Sequence, residues 1–188
     1  MHEVIWHGRG GQGVVIAAQI LAESAYLQGF KGVTSAPTFG PERRGAPLTA
    51  STRISDTPIR TFSQIEKADI AVVLDPSLFG VVNILGSLKP EGLLIINTVQ
   101  KADEVDCNGC ANVATADAAS IALRFHLIKE GAPIVNTPML GVFSRASGLI
   151  SIEHLEKGLK WKLAGGAAAT NIAALKAAYE EASLRKNR

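Results

Sequence analysis

The sequence predicts an α/β fold: a single doubly wound, mostly parallel sheet with helices on both faces and a helical segment at the C-terminus. Three observations predict it. The run 70–74 is continuously apolar and the run 92–97 is apolar up to Asn97, which is typical of strands buried on both faces of a sheet. Such runs alternate with helical segments before Pro133, as they do in a parallel sheet. A glycine-rich stretch at 8–13 separates the first apolar run from an apolar helical segment.

Length and composition fit one domain spanning residues 1–188. With 47% hydrophobic and 19% charged residues, the chain is too apolar for intrinsic disorder. A net charge of +2 and an aromatic content of 5% argue against nucleic-acid binding, which relies on clustered basic residues or on stacking rings. The sequence has no run of about 18 apolar residues and no secretory signal pattern. We therefore expect a cytoplasmic protein that binds neither nucleic acid nor membrane.

The first elements follow from apolar runs and a glycine stop. Residues 4–6 form a short strand. An apolar helix starts at Val14 and ends near Gln28, because Gly29 can take the left-handed conformation of a helix C-terminus. A second strand is expected at 31–35.

A loop and a hairpin are predicted next. Residues 35–47 contain three prolines and two glycines, which exclude a regular element. Alternating apolar and polar residues at 48–55 predict a half-exposed strand. After a turn at 56–58, residues 59–62 could pair back with this strand as an antiparallel hairpin.

The rest of the chain combines buried strands with helices. Residues 112–114 are expected to add a short strand to the two apolar runs. Thr115 or Asp117 would stand near the start of the helix that follows, since both side chains can accept a hydrogen bond at a helix N-terminus. The predicted helices cover residues 77–88, 115–129, 136–147, 152–163 and 167–185.

The glycine-rich stretch fits the G-x-G-x-x-G pattern in its required position, after a strand and before a helix. Glycines let an anionic group approach the backbone amides, and the helix N-terminus adds the positive end of its dipole. The side chains of Arg9 and Gln12 could add hydrogen-bond donors. The candidate ligand-binding residues are Gly8, Arg9, Gly10, Gly11, Gln12 and Gly13.

Three interpretations of this stretch stay open. A dinucleotide site needs an acidic residue at the end of the second strand, and residues 32–35 supply none. The glycines could instead only allow close packing of the helix on the strand. The third interpretation is a different ligand or a phosphate-bearing partner molecule.

The proline- and glycine-rich loop carries two adjacent guanidinium groups. Arg43 and Arg44 could bind phosphate or carboxylate in a bidentate manner, or they could belong to a solvated turn in which Glu42 pairs with one of them. In a doubly wound sheet this loop follows the carboxyl end of the second strand, on the same side as the glycine-rich stretch. The motif consists of Phe39, Gly40, Pro41, Glu42, Arg43, Arg44 and Gly45.

We assign no catalytic residue and no metal ligand. The four histidines are scattered, and His7 is expected to be a packed residue at a strand end. No serine has His–Asp company, so nucleophilic hydrolysis lacks support. Cys107 and Cys110 could be a redox pair, half of a metal site or two reduced thiols beside a turn, and we expect the last.

Three motifs in this order resemble the gamma subunit of 2-oxoacid:ferredoxin oxidoreductases, a family that includes the pyruvate, 2-oxoisovalerate, indolepyruvate and phenylglyoxylate enzymes. The motifs are 8–13, 39–45 and 136–141, and the resemblance runs from Ile5 to about Tyr179. It implies a subunit of an enzyme that oxidatively decarboxylates a 2-oxoacid on thiamine diphosphate, usually to an acyl-CoA, and passes the electrons to iron–sulfur clusters.

The resemblance also implies a division of labour. Alpha, beta and ferredoxin-like delta subunits would hold thiamine diphosphate, magnesium and the [4Fe-4S] clusters, coenzyme A (CoA) would be the co-substrate, and a flavin subunit could carry electrons to NAD. The gamma chain would bind no cofactor alone and would be inactive in isolation. Two cysteines are too few for a four-thiolate cluster, in agreement with this division.

We expect the two anion-binding motifs to contribute to assembly and to the rim of the active site or of the CoA site. Met139 and the remaining residues of the arginine motif, Phe39, Gly40, Pro41, Glu42 and Gly45, would lie at subunit interfaces. Two alternatives stay open: a stand-alone dinucleotide-binding protein, and a purely structural docking subunit.

Overall fold

The computed structural model describes residues 1–37, 44–61, 63–107, 110, 112–163 and 166–186. The strands are β1 His2–Arg9, β2 Gly32–Pro37, β3 Pro47–Ser55, β4 Ala68–Val73, β5 Leu88–Asn97, β6 Asn112–Ala116, β7 Ile128–Lys129, β8 Ala132–Pro133 and β9 Ser183–Arg185. The α-helices are α1 Val14–Gln28, α2 Ala118–Arg124, α3 Asn136–Ser147, α4 Ile152–Lys162 and α5 Ala167–Glu181. Short 3-10 helices cover Pro76–Gly80, Leu85–Ser87 and Ala102–Glu104.

Seven strands form one mixed sheet in the order β2-β3-β1-β4-β5-β6-β9. Its centre is parallel, because β1, β4, β5 and β6 pair in the same direction. β3 runs antiparallel between β1 and β2, and β9 is antiparallel to β6 at the opposite edge. The predicted α/β fold with a mostly parallel sheet and a C-terminal helix is confirmed.

Both faces of the central strands are covered, as their continuous apolar sequences predict. The sheet separates two hydrophobic cores, of which the larger lies between the sheet and the α-helices and contains Trp6, Val72 and Ile95. In this larger core the rings of Trp6 and Phe143 stack with their centroids 6.0 Å apart. On the other face Val73 and neighbouring apolar residues pack against the segments that contain the 3-10 helices. The two kinds of helix therefore enclose the sheet from opposite sides.

The prediction of a helix at 77–88 is wrong, since two 3-10 helices stand there. Side chains satisfy backbone groups locally: Asp75 accepts the Ser77 N–H at 3.0 Å, and Asn83 accepts the Gly86 N–H at 3.0 Å. Such local bonds compete with a continuous helix, and Gly80 and Gly86 weaken it further.

Three other boundaries also differ from the prediction. Thr115 belongs to β6, so α2 begins after Asp117, whose carboxylate accepts the Ser120 N–H at 2.9 Å. The same helix ends at Arg124, and the positive φ of His126 (55°) turns the chain into the β7–β8 hairpin. Near the C-terminus α5 ends at Glu181, because residues 183–185 pair with β6 as β9.

The hairpin predicted for 59–62 does not form in the residues that the structure describes, and Phe62 lies outside them. Both edges of β3 are already paired, with β1 on one side and β2 on the other. No edge of β3 is left for a further strand.

Candidate functional site

A pocket of about 620 Å³ lies at the carboxyl ends of β1, β4 and β5. The winding of the sheet reverses between β1 and β4, because β1 leads through α1 to β2 on one side while β4, β5 and β6 follow on the other. Doubly wound sheets bind their ligands at such points. The pocket walls include Gly11, Gln12, Arg44, Asp75, Asn97 and Glu130.

The glycines of the turn have different roles in this geometry. A Cβ at Gly8 would lie 2.5 Å from Cγ2 of Val14, so Gly8 allows the close packing of α1 on β1. A Cβ at Gly13 would lie 2.4 Å from Nδ2 of Asn136, and the φ of Gly13 is +77°. Gly11 also has a positive φ, +97°, but no atom of the described residues lies closer than 3.9 Å to its Cβ position. Gly8 and Gly13 are therefore required by packing, whereas Gly11 faces the pocket.

The arginine loop meets the glycine turn, as the topology predicts. The Gly10 N–H donates to the Ala46 carbonyl at 2.9 Å, and the Gly45 N–H donates to the Gly10 carbonyl at 3.1 Å. The backbone of Arg44 forms an isolated parallel β-bridge with Gly10, and Arg44 lines the pocket. The other expected contributors of this loop, Phe39, Gly40, Pro41, Glu42 and Arg43, lie outside the described residues.

The Arg9 guanidinium is engaged by the surrounding loops. It donates to Asp75 Oδ2 at 3.1 Å, to the Gly45 carbonyl at 2.9 Å and to Ser77 Oγ at 2.8 Å. Gln12 completes this network: its Oε1 accepts the Arg9 N–H at 2.7 Å, and its Nε2 donates to Asp75 Oδ2 at 3.1 Å. Arg9 and Gln12 therefore fix three loops against one another.

The carboxylate of Asp75 is the centre of this network. Burial alone would raise its pKa, but hydrogen bonds from Ser77 and Gln12 and the charge of Arg9 together lower the pKa below its ordinary value. Asp75 is thus ionised at neutral pH, and Arg9 balances its charge within the pocket wall.

Glu130 and Lys129 come to the pocket from the β7–β8 hairpin. Arg44 and Glu130 form an ion pair, and their side chains are 70% and 57% exposed. The prediction missed both hairpin residues, because it extended a helix through Lys129. Gly131 and Pro133 were the available signals, since glycine in a short loop between extended segments favours a hairpin.

Helix α1 begins at Val14, shortly after the turn residues Gly11 and Gln12 that line the pocket. Gly13 is its N-cap residue, so no cap side chain bonds the first amides, and the first turn has no acidic residue. Unsatisfied N–H groups and the helix dipole favour a negative charge at this end.

The family model for pyruvate ferredoxin/flavodoxin oxidoreductases matches residues 3–181. The chain belongs to this family. It is 46% identical over 184 residues to the pyruvate/ketoisovalerate oxidoreductases common subunit gamma of Pyrococcus furiosus, with 96% of this chain and 97% of that protein covered. It is 44% identical over 181 residues to the pyruvate synthase subunit PorC of Methanothermobacter thermautotrophicus, with 96% of each covered. The resemblance of the motifs to gamma subunits is thereby confirmed.

A solved structure agrees with this assignment. The crystal structure of the pyruvate oxidoreductase subunit PORC from Thermotoga maritima superposes with a TM-score of 0.81 at 33% identity, covering 97% of each chain. The sheet and helices of this member of the pyruvate ferredoxin/flavodoxin oxidoreductase family therefore recur in a protein of the same type.

The strand order of this family member argues against a dinucleotide site at the glycine turn. In the dinucleotide fingerprint the ribose-binding acid ends the second strand, directly beside the first, but here β3 separates β2 from β1. One extra strand places β2 about 4.8 Å further away, and the expected positions at Thr34 and Ser35 are not acidic.

Two further predicted residues lie away from the pocket. Met139 is fully buried in the larger core, so its side chain packs within this chain. His7 is also buried, and neither ring nitrogen has a hydrogen-bond partner among the described residues. Burial lowers the pKa of His7 to about 4.

No group of three or more His, Cys, Asp or Glu side chains in the described part of the chain could hold a metal ion. None of the described helices is long and apolar enough to cross a membrane.

Proposed function

We propose that this chain is the gamma subunit of a multisubunit 2-oxoacid oxidoreductase that depends on thiamine diphosphate, and that it acts with alpha, beta and ferredoxin-like delta subunits in the cytoplasm. The names of its relatives, a pyruvate/ketoisovalerate oxidoreductase gamma subunit and a pyruvate synthase subunit, support this proposal. The complex would convert a 2-oxoacid to an acyl-CoA and pass the electrons through iron–sulfur clusters to ferredoxin or, through a flavin subunit, to NAD.

The residues of this chain do not fit an iron–sulfur cluster, because it has two cysteines and a [4Fe-4S] cluster uses four thiolates. The clusters and thiamine diphosphate with its magnesium ion belong, in this proposal, to the other subunits. Thiamine diphosphate supplies the carbanion stabilisation that decarboxylation needs. The gamma chain contributes a binding surface and is inactive by itself.

We infer further that the pocket at the end of β1 binds the phosphate groups of CoA at the edge of the assembled active site. One observation carries this inference: Gly11 and Arg44 line a single pocket of about 620 Å³, and the uncapped N-terminus of α1 follows directly after this turn. Arg44 can bind a phosphate in a bidentate manner, and the helix end favours an anion. Arg43 precedes Arg44 in the sequence and would add a second guanidinium.

The charges of the pocket wall are consistent with an anionic ligand that displaces Glu130. Arg9 and Gln12 engage Asp75, so this carboxylate is compensated within the wall. Glu130 pairs with Arg44 where both are exposed. A CoA phosphate would take the place of the Glu130 carboxylate on the guanidinium.

Calorimetric titration of the assembled complex with CoA tests the inference. Arg44→Ala should raise the Kd about tenfold, because a charge-assisted hydrogen bond contributes roughly 1.5 kcal/mol. Lys160→Ala, an exposed change on α4, is the matched control and should leave the Kd unchanged. Pantetheine lacks the phosphates, so its binding should not respond to Arg44→Ala.

An unchanged CoA Kd and Michaelis constant in an intact complex carrying Arg43→Ala and Arg44→Ala would remove the ligand role. That result would favour the second candidate function, a docking subunit without a ligand. The packing roles of Gly8 and Gly13 and the internal contacts of Arg9 support this candidate, because they explain those residues through shape alone. If these arginines instead dock a neighbouring subunit, native mass spectrometry of the same double variant should show loss of subunits rather than an intact complex.

A further inference from the structure

The two cysteines of the C-x-x-C pair lie between the 3-10 helix Ala102–Glu104 and β6. The Cys110 N–H donates to the Cys107 carbonyl at 3.0 Å. A hydrogen bond between residues i and i+3 is the mark of a β-turn, in which the two Cα atoms lie within about 7 Å. Disulfides span Cα separations of roughly 4.4–6.8 Å, so the backbone already permits one. The residues between the cysteines lie outside those described.

A guanidinium contacts one of the two sulfurs. Arg185 of β9 donates to Cys107 Sγ at 3.4 Å, to the Val105 carbonyl at 3.1 Å and to the Cys110 carbonyl at 3.4 Å. A positive charge beside a thiol favours the thiolate, which is the nucleophilic form. The contact with sulfur is made to Cys107.

The two thiols also differ in access. Cys107 lines a pocket of about 520 Å³ together with Phe79, Asn83 and Val105, whereas Cys110 is not part of its wall. Burial, the hydrogen bond with Cys107 and the charge of that neighbour raise the pKa of Cys110 to about 12, against the charge of Arg185, which lowers it. A small molecule in this pocket would thus meet Cys107, because Cys110 does not line it.

We propose that Cys107 and Cys110 form a reversible dithiol–disulfide couple within this chain, in which Cys107 attacks and Cys110 resolves. The oxidant is a low-molecular-weight disulfide, RSSR. The Cys107 thiolate attacks one sulfur of RSSR, the S–S bond breaks, and RS⁻ leaves and takes up the proton that Cys107 released. Cys110 then loses its proton, attacks Cys107 Sγ and expels the second RS⁻, which takes up that proton. Two thiols are oxidised to one disulfide and RSSR is reduced to two RSH.

The experiment uses the purified complex, oxidised glutathione as the probe, and the intact mass of this subunit after denaturing separation. Because the chain has two cysteines, every thiol change in the subunit reports on this pair. The wild-type subunit should lose two hydrogens and become unreactive toward iodoacetamide, and dithiothreitol should restore both thiols. Cys110→Ser should accumulate a stable glutathione adduct on Cys107. Cys107→Ser should form its adduct at least about tenfold more slowly, because Cys110 does not line the pocket and the Arg185 guanidinium contacts the sulfur of Cys107.

Arg185→Gln in the Cys110→Ser background tests the role of the guanidinium and should slow adduct formation several-fold. Arg124→Gln, which changes an arginine paired with Glu181, is its matched control and should have no effect. Two independent glutathione adducts on the wild-type subunit, a disulfide to another subunit, or equal rates in the two single cysteine variants would overturn the proposal. The wild-type measurement alone decides between an internal disulfide and separate adducts, whatever the stability of the variants.

Discussion

Replacing His7 by leucine should make the free energy of unfolding less dependent on pH. The imidazole is 3% exposed, and neither ring nitrogen has a hydrogen-bond partner among the described residues. Burial lowers the pKa of His7 from 6.5 to about 4 in the folded protein. Only the neutral ring fits this site, whereas the unfolded chain binds a proton readily below pH 6.5.

The magnitude follows from linkage. Since the folded pKa lies below the unfolded one, the unfolded state binds more protons between the two values, and stability falls as the pH decreases through this window. With pKa values of 6.5 and about 4, the wild-type protein should lose about 2 kcal/mol from this group between pH 7.5 and pH 5.0. Asp69 and Asp75 have lowered pKa values, so their contributions are lost at more acidic pH, from about their unfolded pKa of 3.8 downward.

Urea unfolding of the wild type and His7→Leu at both pH values measures this difference, with fluorescence of the buried Trp6 as the signal. The leucine variant should lose about 2 kcal/mol less than the wild type, because the leucine does not titrate. At pH 7.5 the two should be close in stability, since removal of an unpaired buried polar group offsets the changed packing. Equal pH-dependent losses in the two proteins would show that His7 is charged, or free to become charged, in the folded state.

Two further substitutions test the packing and the capping described above. Gly141→Ala should destabilise the protein by about 2 kcal/mol, because its Cβ would lie 2.1 Å from the Leu175 carbonyl where α3 crosses α5. Gly80→Ala is the control, since its Cβ would meet no atom of the described residues within 4 Å. Thermal or urea unfolding of both variants measures the difference. Asp117→Ala should cost about 1 kcal/mol through loss of the hydrogen bond to the Ser120 N–H. Asp117→Asn keeps an acceptor and should retain most of that stability, so equal losses in both Asp117 variants would contradict the capping role.

The sequence predicts the helices best where apolar spacing and a stop signal agree. The predicted helix at 136–147 coincides with α3, and Gly29 ends α1 with a φ of +108° as a left-handed C-cap. Where short-range hydrogen bonds decide the conformation, the prediction is wrong. The segment 77–88 has the composition of a helix, yet Asp75 and Asn83 satisfy its amides locally.

Local sequence patterns do not predict which strands pair when the strands lie far apart in the sequence. The residues 183–185 follow an alanine-rich helix, and their composition would allow the helix to continue. They form a strand because they pair with the free edge of β6. Likewise, β3 inserts between β1 and β2, which no local pattern shows. This insertion decides a functional question, since it separates the end of β2 from the glycine turn.

The sequence likewise predicts some contacts of the candidate site and misses others. The meeting of the arginine loop with the glycine turn follows from the order of elements in a doubly wound sheet, and the Gly10 hydrogen bonds confirm it. The engagement of Arg9 by Asp75, Gly45 and Ser77 is not predictable, because those partners come from loops far apart in the sequence. A guanidinium in a glycine-rich turn therefore indicates an anion, but the anion it binds here is a carboxylate of its own chain.

Glu130 should weaken the binding of a phosphate to Arg44 only slightly, because its own ion pair with Arg44 is exposed. Exposed ion pairs contribute roughly 0–1 kcal/mol, and the side chains of Arg44 and Glu130 are 70% and 57% exposed. A phosphate that displaces Glu130 would thus lose at most about fivefold in affinity. Glu130→Gln should lower the CoA Kd by this factor or less, whereas Arg44→Ala should raise it about tenfold. A larger gain from Glu130→Gln would mean that the hairpin closes the pocket by more than this one ion pair.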